Sequence, residues 1–281
     1  MSVISIENMN PKDYFWIKKA TDIVHISKPL IKFGINYFSA CRIYEDGTND
    51  CLSNNPLSQQ VFLDHELWKH VFFGNVNQYR SGVVRMIDVA SYDQNMINYL
   101  SLLRENLDIA HGIVIIYPKA SHVEFYHFAA ASENHKINHF YLNNIDILHN
   151  FVFYFNDVAK SLMNESFQNR IYYPNTQDKT LLTSGDVANS YSHNMNHDKS
   201  FSIMSDFYSL TRREGECAQL LMSGNCCKRM ASKMNLSTRT IEKHLQSLRR
   251  KTNSHNYSQM FSKLYCIRGK DNGYKSSRFE I

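Results

Sequence analysis

Apolar residues in the first 172 positions recur with two different periods, which predicts a domain that mixes helices and strands. Alternation over residues 37–44, followed by the polar turn 45–48 and more apolar positions to residue 52, predicts a β-hairpin. Further predicted strands cover 111–117 and 122–131, and helical spacing predicts helices at 12–32, 58–69, 93–106, 137–141 and 144–164. We therefore expect an α+β domain in which helices flank an antiparallel sheet.

A shorter helical pattern begins after residue 207 and has clear signals at both ends. Thr211 is followed three residues later by Glu214, which is the spacing of a capping box and predicts the start of a helix. Gly224 ends the pattern, because glycine readily adopts the left-handed backbone that closes a helix. One short amphipathic helix is expected between these signals.

The next two predicted helices, 227–234 and 238–252, are separated by a three-residue turn. Asn235 tolerates a left-handed backbone in this turn, and Ser237 is suited to cap the helix that follows. The residues expected to pack where the helices cross are Met230, Ala231, Met234, Leu236, Ile241, Leu245 and Leu248. This order predicts a helix-turn-helix, whose second helix enters the major groove of DNA.

The charges are divided unevenly along the chain. Residues 207–270 contain 13 Lys and Arg against three Glu, a balance of +10, whereas the remaining residues have a balance of −5. A basic block attached to an acidic body indicates a polyanion-binding module. The Asn- and Ser-rich stretch 173–206 lacks a sustained period, so it is predicted to be a linker between a regulatory domain, 1–172, and a DNA-binding domain, 207–267, which a polar tail, 268–281, follows.

The amino-acid sequence of the basic block resembles that of a known family. The run LTRREGE at 210–216, and then G-x-x-x-K-R-M-A-S-K-M-x-L-S-T-R-T-I-E-K-H-L at 224–245, is similar to the LuxR-type DNA-binding domain of bacterial transcription factors. The resemblance covers about 208–265, a fifth of the chain. It implies a compact all-α domain of four helices that binds double-stranded DNA as a homodimer, with the fourth helix, about 256–265, in the dimer contact.

The resemblance also implies roles for individual side chains. Glu242, Lys243 and Gln246 would face base edges, where lysine donates to guanine, glutamine pairs with adenine and glutamate accepts from cytosine. Glu242 departs from the family pattern, and either reads cytosine or turns aside to pair with Arg239 or Gln246. The residues expected to contact phosphate are Lys228, Thr238, Arg239, Arg250 and Lys251.

The order of elements in the first domain resembles small-molecule sensor domains of the GAF, PAS and LuxR autoinducer-binding kinds. The run at 112–132 looks like the late hairpin of the autoinducer-binding domain, but that family's Trp and Tyr followed by Asp-Pro are missing, so the ligand stays unknown. Before residue 207 lie 29 of the 36 aromatic residues. They suit either an apolar ligand pocket or an ordinary core.

Other classes of protein find less support in the sequence. No signal peptide or membrane-spanning run is evident, and the spacing of the six cysteines suits free thiols in a reducing, cytoplasmic compartment. HExxH, GxSxG and GxxxxGK[ST] are absent, so neither an enzyme nor a metal or cofactor site is expected. A phosphorylation-driven response regulator would need an early acidic pair, which is also missing.

The predicted function is therefore sequence-specific regulation of transcription by a LuxR-type protein. Its first domain would modulate DNA binding or dimerisation in response to a ligand or a partner, and RNA polymerase is a possible partner. In the alternative interpretation the regulator is independent of any ligand, and the first domain is a module for protein interaction or dimerisation.

Overall fold

The computed structural model of the chain describes residues 4–5, 14–65, 83–89, 94–172 and 197–264. The chain divides into two compact units, one formed by residues 1–145 with 155–193 and the other by residues 146–154 with 194–281. The predicted domain limits at 172 and 207 stay a proposal.

The first unit is built on a mixed sheet of seven strands. Five of them run antiparallel to their neighbours, and a pair of two-residue strands at one edge is parallel. The strands are β1 (Ile4–Ser5), β2 (Tyr37–Tyr44), β3 (Thr48–Ser53), β4 (Val83–Met86), β5 (Ala110–Pro118), β6 (His122–Ala130) and β7 (Ile171–Tyr172), in the order β1-β7-β3-β2-β6-β5-β4. The predicted hairpin at 37–52 and the predicted antiparallel sheet are confirmed.

Helices flank this sheet, as predicted. They are α1 (Phe15–Ser27), α2 (Pro56–Asp64), α3 (Gln94–Leu107), α4 (Ile137–Asn143), α5 (Ile145–Val158) and α6 (Lys160–Gln168). The helix predicted at 12–32 ends earlier, because Pro29 begins a 3₁₀ turn that Gly34 closes with a φ of 79°. The helix predicted at 144–164 is interrupted at Ala159. The helix predicted at 58–69 is found at Pro56–Asp64, and residues 66–69 lie outside the described residues.

The two faces of the sheet have different environments. Side chains alternate between the faces of a strand, so Tyr37 and Phe38 of β2 point in opposite directions. Phe38 packs against Phe128 of β6 and Phe155 of α5, with ring centroids 5.2 and 4.9 Å apart. Tyr37 is on the face that lines a cavity. The aromatic residues of this unit thus include both core and cavity-lining side chains.

Two cysteines differ from the sequence-based expectation. Cys41 of β2 and Cys51 of β3 are direct partners in the hairpin register and form a disulfide, so the prediction of free thiols is wrong for this pair. The pairing depends on the hairpin register, which cysteine spacing alone does not reveal. Cys217, Cys226 and Cys227 are free thiols.

The second unit contains residues 146–154 of α5 and five further described helices. They are α7 (His197–Phe207), α8 (Arg212–Met222), α9 (Cys227–Met234), α10 (Thr238–Lys251) and α11 (Tyr257–Leu264). Helices α8 to α11 confirm the predicted all-α domain of four helices. None of the described helices in either unit has the length and apolar character needed to cross a lipid bilayer.

Helix α7 lies in the last part of the predicted linker, 173–206, where the sequence analysis found no sustained period. Phe201, Met204 and Phe207 recur at helical spacing and are all buried, at 5, 0 and 2% exposure. This single short apolar face follows a long polar stretch, and the sequence analysis did not separate the two. The rest of the predicted linker lies outside the described residues.

Candidate nucleic-acid interface and ligand cavity

The capping box predicted at the start of α8 is present. The backbone N–H of Thr211 donates to Oε2 of Glu214 at 2.7 Å, and the backbone N–H of Glu214 donates to Oγ1 of Thr211 at 3.3 Å. Two N–H groups that the helix leaves without internal partners are thereby satisfied. The first helix of the domain therefore begins at a position defined by side chains.

The turn between α9 and α10 has the predicted conformation. Asn235 ends α9 in the left-handed region, with φ 53° and ψ 49°, and the N–H of Leu236 donates back to the carbonyl of Ala231 at 2.9 Å. Ser237 then accepts the N–H of Thr240 on its Oγ at 3.0 Å, which caps α10. These contacts set the direction in which α10 leaves the turn.

The predicted core of the helix-turn-helix lies inside the second unit. Met230, Ile241 and Leu248 have no exposed surface, and Leu245 and Ala231 are 2 and 8% exposed. The other two predicted members, Met234 and Leu236, are half-buried. Met234 approaches the Sγ of Cys217 on α8 at 3.6 Å. The buried side chains of α9 and α10 therefore leave the opposite face of α10 to solvent.

The predicted base-reading residues all lie on this exposed face. Glu242, Lys243 and Gln246 are exposed, and Glu242 and Gln246 are four residues apart on one side of α10. In the part of the chain that the structure describes, Glu242 forms no ion pair or hydrogen bond with Arg239 or Gln246.

The predicted phosphate-contacting residues fall into two groups. Lys228, Arg239 and Arg250 are exposed, and Thr238 is half-buried in the first turn of α10. Lys251 differs, because its Nζ donates to Oε2 of Glu214 at 2.7 Å and to the carbonyl of Ser209 at 2.8 Å. Two of the three N–H donors of its ammonium group are therefore used inside the domain.

A second lysine also has an internal role that the sequence analysis missed. Lys263 of α11 is 7% exposed, and its Nζ donates to the carbonyls of Thr252 at 2.7 Å and Asn253 at 2.9 Å. These carbonyls follow the end of α10, where a cation interacts favourably with the helix dipole. The count of 13 basic residues therefore includes at least two that hold the domain together.

The charge of Glu214 is stabilised by its surroundings. Burial alone would raise the pKa of this carboxyl, but the hydrogen bonds from Lys251 and from the backbone and hydroxyl of Thr211 outweigh burial and lower its pKa to about 2. Glu214 is 4% exposed and is ionised at neutral pH. Because Glu214 is ionised well below neutral pH, its ion pair with Lys251 joins α8 to the end of α10 throughout the neutral pH range.

The first unit contains a cavity of about 470 Å³. It lies between the Tyr37 face of the sheet and helices α2 and α3, and its volume suits a small organic molecule. Apolar side chains form most of its wall, including Phe62, Met96, Leu100, Leu103, Ile109 and Val114. Of the two roles that the sequence analysis left open for the aromatic residues, the apolar pocket has a physical counterpart in the first unit.

Several polar side chains also border this cavity, and two pairs of them are in contact. Oγ of Ser39 and Nδ1 of His127 are 3.2 Å apart on neighbouring strands. His127 keeps some accessible surface only because it borders the cavity, and burial lowers its pKa to about 4, so the ring is neutral at pH 7. At another part of the wall, Nδ1 of His111 lies 2.7 Å from Oδ2 of Asp88. The sequence offered no signal that these four residues belong to one site.

Two short helices around a tight turn, with a buried crossing and an exposed basic second helix, define the second unit as a helix-turn-helix DNA-binding domain. Residues 208–264 match the family model described as GerE, bacterial regulatory proteins, luxR family. These residues are a DNA-binding domain of the luxR family, which is a family of regulators and not of enzymes. No curated protein matches the chain.

Solved structures of SdiA resemble the chain over most of its length. One, SdiA in complex with octanoyl-rac-glycerol, is 12% identical, with 92% of this chain and 88% of that chain covered and a TM-score of 0.37. Another, Escherichia coli SdiA, is 11% identical, with 94% of both chains covered and a TM-score of 0.36.

Proposed function

We propose that this protein is a sequence-specific transcriptional regulator that reads DNA with helix α10. The single observation that carries the proposal is the division of α10 into two faces. Ile241, Leu245 and Leu248 are buried in the domain, whereas Glu242 and Lys243 are exposed beside the basic residues of α9 and α10. A helix held in this way can lie in a major groove about 12 Å wide.

In this proposal Glu242, Lys243 and Gln246 contact base edges, and Lys228, Thr238, Arg239 and Arg250 contact phosphate. Phosphate contacts fix the position of the protein on the duplex and supply affinity, whereas base contacts supply the sequence preference. For Lys251, which the sequence analysis placed among the phosphate contacts, we propose a structural role instead, because Glu214 and the carbonyl of Ser209 accept two of its N–H donors.

The first unit is proposed to bind a small apolar ligand in its cavity and thereby modulate DNA binding or dimerisation. The support is the combination of a mainly apolar wall with the polar pair Ser39 and His127, which would orient a polar group of the ligand. A protein-interaction module, the alternative function, has no need of such a cavity. The chemical identity of the ligand stays unassigned.

The protein is further proposed to act in the cytoplasm as a homodimer, with RNA polymerase as a possible partner. The proposed dimer contact is α11, which follows the family resemblance and whose Tyr257 is 40% exposed. A protein of two-fold symmetry would bind two half-sites of an operator, so the stoichiometry of the complex is part of the test.

The proposal is tested by selecting duplexes from a random library with the full-length chain and measuring affinities for selected and scrambled duplexes at fixed salt. The expected result is an enriched sequence, bound by two chains per duplex. Lys243→Ala should reduce the preference for it, whereas Arg250→Ala should weaken binding to both duplexes. If the chain shifts no duplex at low salt, the proposal is wrong.

A further inference from the structure

We propose that Cys41 and Cys51 form a thiol–disulfide switch in the wall of the ligand cavity, a covalent modification site for low-molecular-weight disulfides. This inference rests on the proposed ligand-binding function of the first unit and adds a form of regulation to it. The two cysteines are direct register partners on β2 and β3, their Cα atoms are 4.0 Å apart, and both side chains line the cavity.

The position of the pair favours a regulatory role over a purely stabilising one. The two residues are only ten positions apart, and the hairpin already holds them together. Closing so short a loop restricts the unfolded chain less than closing a long one. Disulfides in a cytosolic protein, the location proposed here, are usually transient, catalytic or redox-sensing.

The reaction of the switch requires only the two cysteines and one external disulfide. A thiolate of the reduced pair attacks a low-molecular-weight disulfide, forms a mixed disulfide and releases one thiolate. The second cysteine then attacks the mixed disulfide and releases the second thiolate. In total, two cysteine thiols lose two electrons and two protons, and one external disulfide becomes two thiols. The cavity that borders Cys41 and Cys51 gives such a molecule a place to approach the pair.

Reduction changes the shape of the cavity wall. Sulfur atoms that are not bonded must separate, as shown by the 3.6 Å between Sγ of Cys217 and Sδ of Met234 in the second unit. Compared with a disulfide bond of about 2.05 Å, this requires a movement of roughly 1.5 Å. Nε2 of Gln59 on α2 donates to Sγ of Cys51 at 3.4 Å, so the movement also affects α2, which carries the cavity residue Phe62.

The oxidised pair therefore fixes the wall, and the reduced pair loosens it. A preorganised cavity binds more tightly, because less order is lost when the ligand enters. We expect the oxidised protein to bind an apolar probe about fivefold more tightly than the reduced protein, which is at the lower end of usual coupling strengths.

The test uses the full-length chain in which Cys226, Cys227 and Cys266 are replaced by serine. The cysteines that remain are Cys41, Cys51 and the buried Cys217. The protein is equilibrated with oxidised or reduced glutathione, the state of Cys41 and Cys51 is read by alkylation and peptide mass spectrometry, and the affinity for N-phenyl-1-naphthylamine is measured by fluorescence. The matched control also carries Cys41→Ser and Cys51→Ser.

The proposal predicts a disulfide between Cys41 and Cys51 in oxidised glutathione, tighter probe binding in that state, and no response in the control. Equal probe affinity in both verified redox states would overturn the switch and leave the proposed ligand site standing. A pair that stays reduced in oxidised glutathione would also overturn it. Absence of probe binding in both states would contradict the ligand site itself, and with it the switch. A control that still responds would assign the effect to another part of the chain.

Discussion

Nζ of Lys251 lies 2.7 Å from Oε2 of Glu214, which joins the last turn of α10 to the first turn of α8. The same carboxylate oxygen accepts the backbone N–H of Thr211 at 2.7 Å. One buried side chain thus completes a helix cap and holds the end of the proposed DNA-reading helix. Lysine thus contributes both to the basic surface of the domain and to contacts in its interior.

Replacement of Glu214 by glutamine should destabilise the DNA-binding domain by about 2 kcal/mol, since a charge-assisted contact is lost and Lys251 keeps a partly buried charge. The measurement is hydrogen exchange of α8 and α10 amides in the full-length chain. Glu216→Gln is the matched control, because its partners Arg212 and Arg213 are exposed at 91 and 54% of their side-chain surface. Equal protection in Glu214→Gln and the unmodified chain would contradict the assigned role.

The same contact predicts a dependence of stability on acid. The pKa of Glu214 is lowered to about 2 from an ordinary value of 4.5, so its contribution is complete above about pH 4.5 and is lost as the pH falls toward 2. At most about 3 kcal/mol is involved. In urea unfolding followed by hydrogen exchange, the difference between the unmodified chain and Glu214→Gln should shrink from pH 5 to pH 3. A difference that stays constant would argue against a charged Glu214.

Salt dependence distinguishes basic residues that contact phosphate from basic residues whose charge is held inside the domain. Arg250→Ala should reduce the slope of log affinity against log salt by about 1, because one phosphate contact is removed. Lys251→Met should lower the stability of the domain and leave that slope unchanged, since its ammonium group is held by Glu214 and Ser209. Fluorescence anisotropy on one duplex at several salt concentrations measures both. A reduced slope in Lys251→Met would restore Lys251 to the phosphate contacts.

The turn between α9 and α10 predicts a simple difference between two substitutions of Asn235. Its φ of 53° is left-handed, and alanine in this region is less favourable by roughly 1 kcal/mol, whereas glycine adopts it freely. Asn235→Ala should therefore lower hydrogen-exchange protection in α9 and α10, and Asn235→Gly should keep it near the unmodified level. The account of the turn fails if the two substitutions have equal effects.

His127 predicts acid sensitivity of the first unit. Burial lowers its pKa to about 4, below the ordinary value of 6.5, so the unfolded chain binds more protons between these values and stability falls as the pH drops through that window. Between pH 7 and pH 5 the loss should approach about 2 kcal/mol. Both tryptophans, Trp16 and Trp68, precede residue 172, so tryptophan fluorescence follows unfolding of this part of the chain.

The matched variant for this prediction is His127→Gln, which cannot titrate and keeps a polar side chain near Ser39. Its unfolding should change less between pH 7 and pH 5 than that of the unmodified chain. Identical pH dependence of the two proteins would show that His127 is not the group that loses stability in acid.

Local signals in the sequence predicted the DNA-binding domain almost residue by residue. The capping box at Thr211, the left-handed Asn235 and the N-cap at Ser237 each depend on a few neighbouring residues, and the structure has all three. The site in the first unit could not be predicted in this way. Ser39 and His127 are 88 positions apart and meet only because β2 and β6 are neighbours in the sheet.

The contacts that the sequence analysis did not foresee have the same physical origin. Lys251 belongs to a basic run, and only the tertiary position of Glu214 shows that its charge is used internally. Cys41 and Cys51 are neighbours because of the register of the hairpin, and a shift of that register by one residue would separate them. Pattern and composition describe what a side chain is able to do, and the fold decides which partner it has.

The central claim, that α10 reads a DNA sequence, is tested most directly by the affinity of the full-length chain for its selected duplex and for a scrambled duplex at the same salt concentration. The account predicts a ratio of at least about 1,000 in favour of the selected duplex. The ratio should fall by roughly tenfold or more in Lys243→Ala. Equal affinity for the two duplexes, or a ratio that Lys243→Ala leaves unchanged, would contradict it.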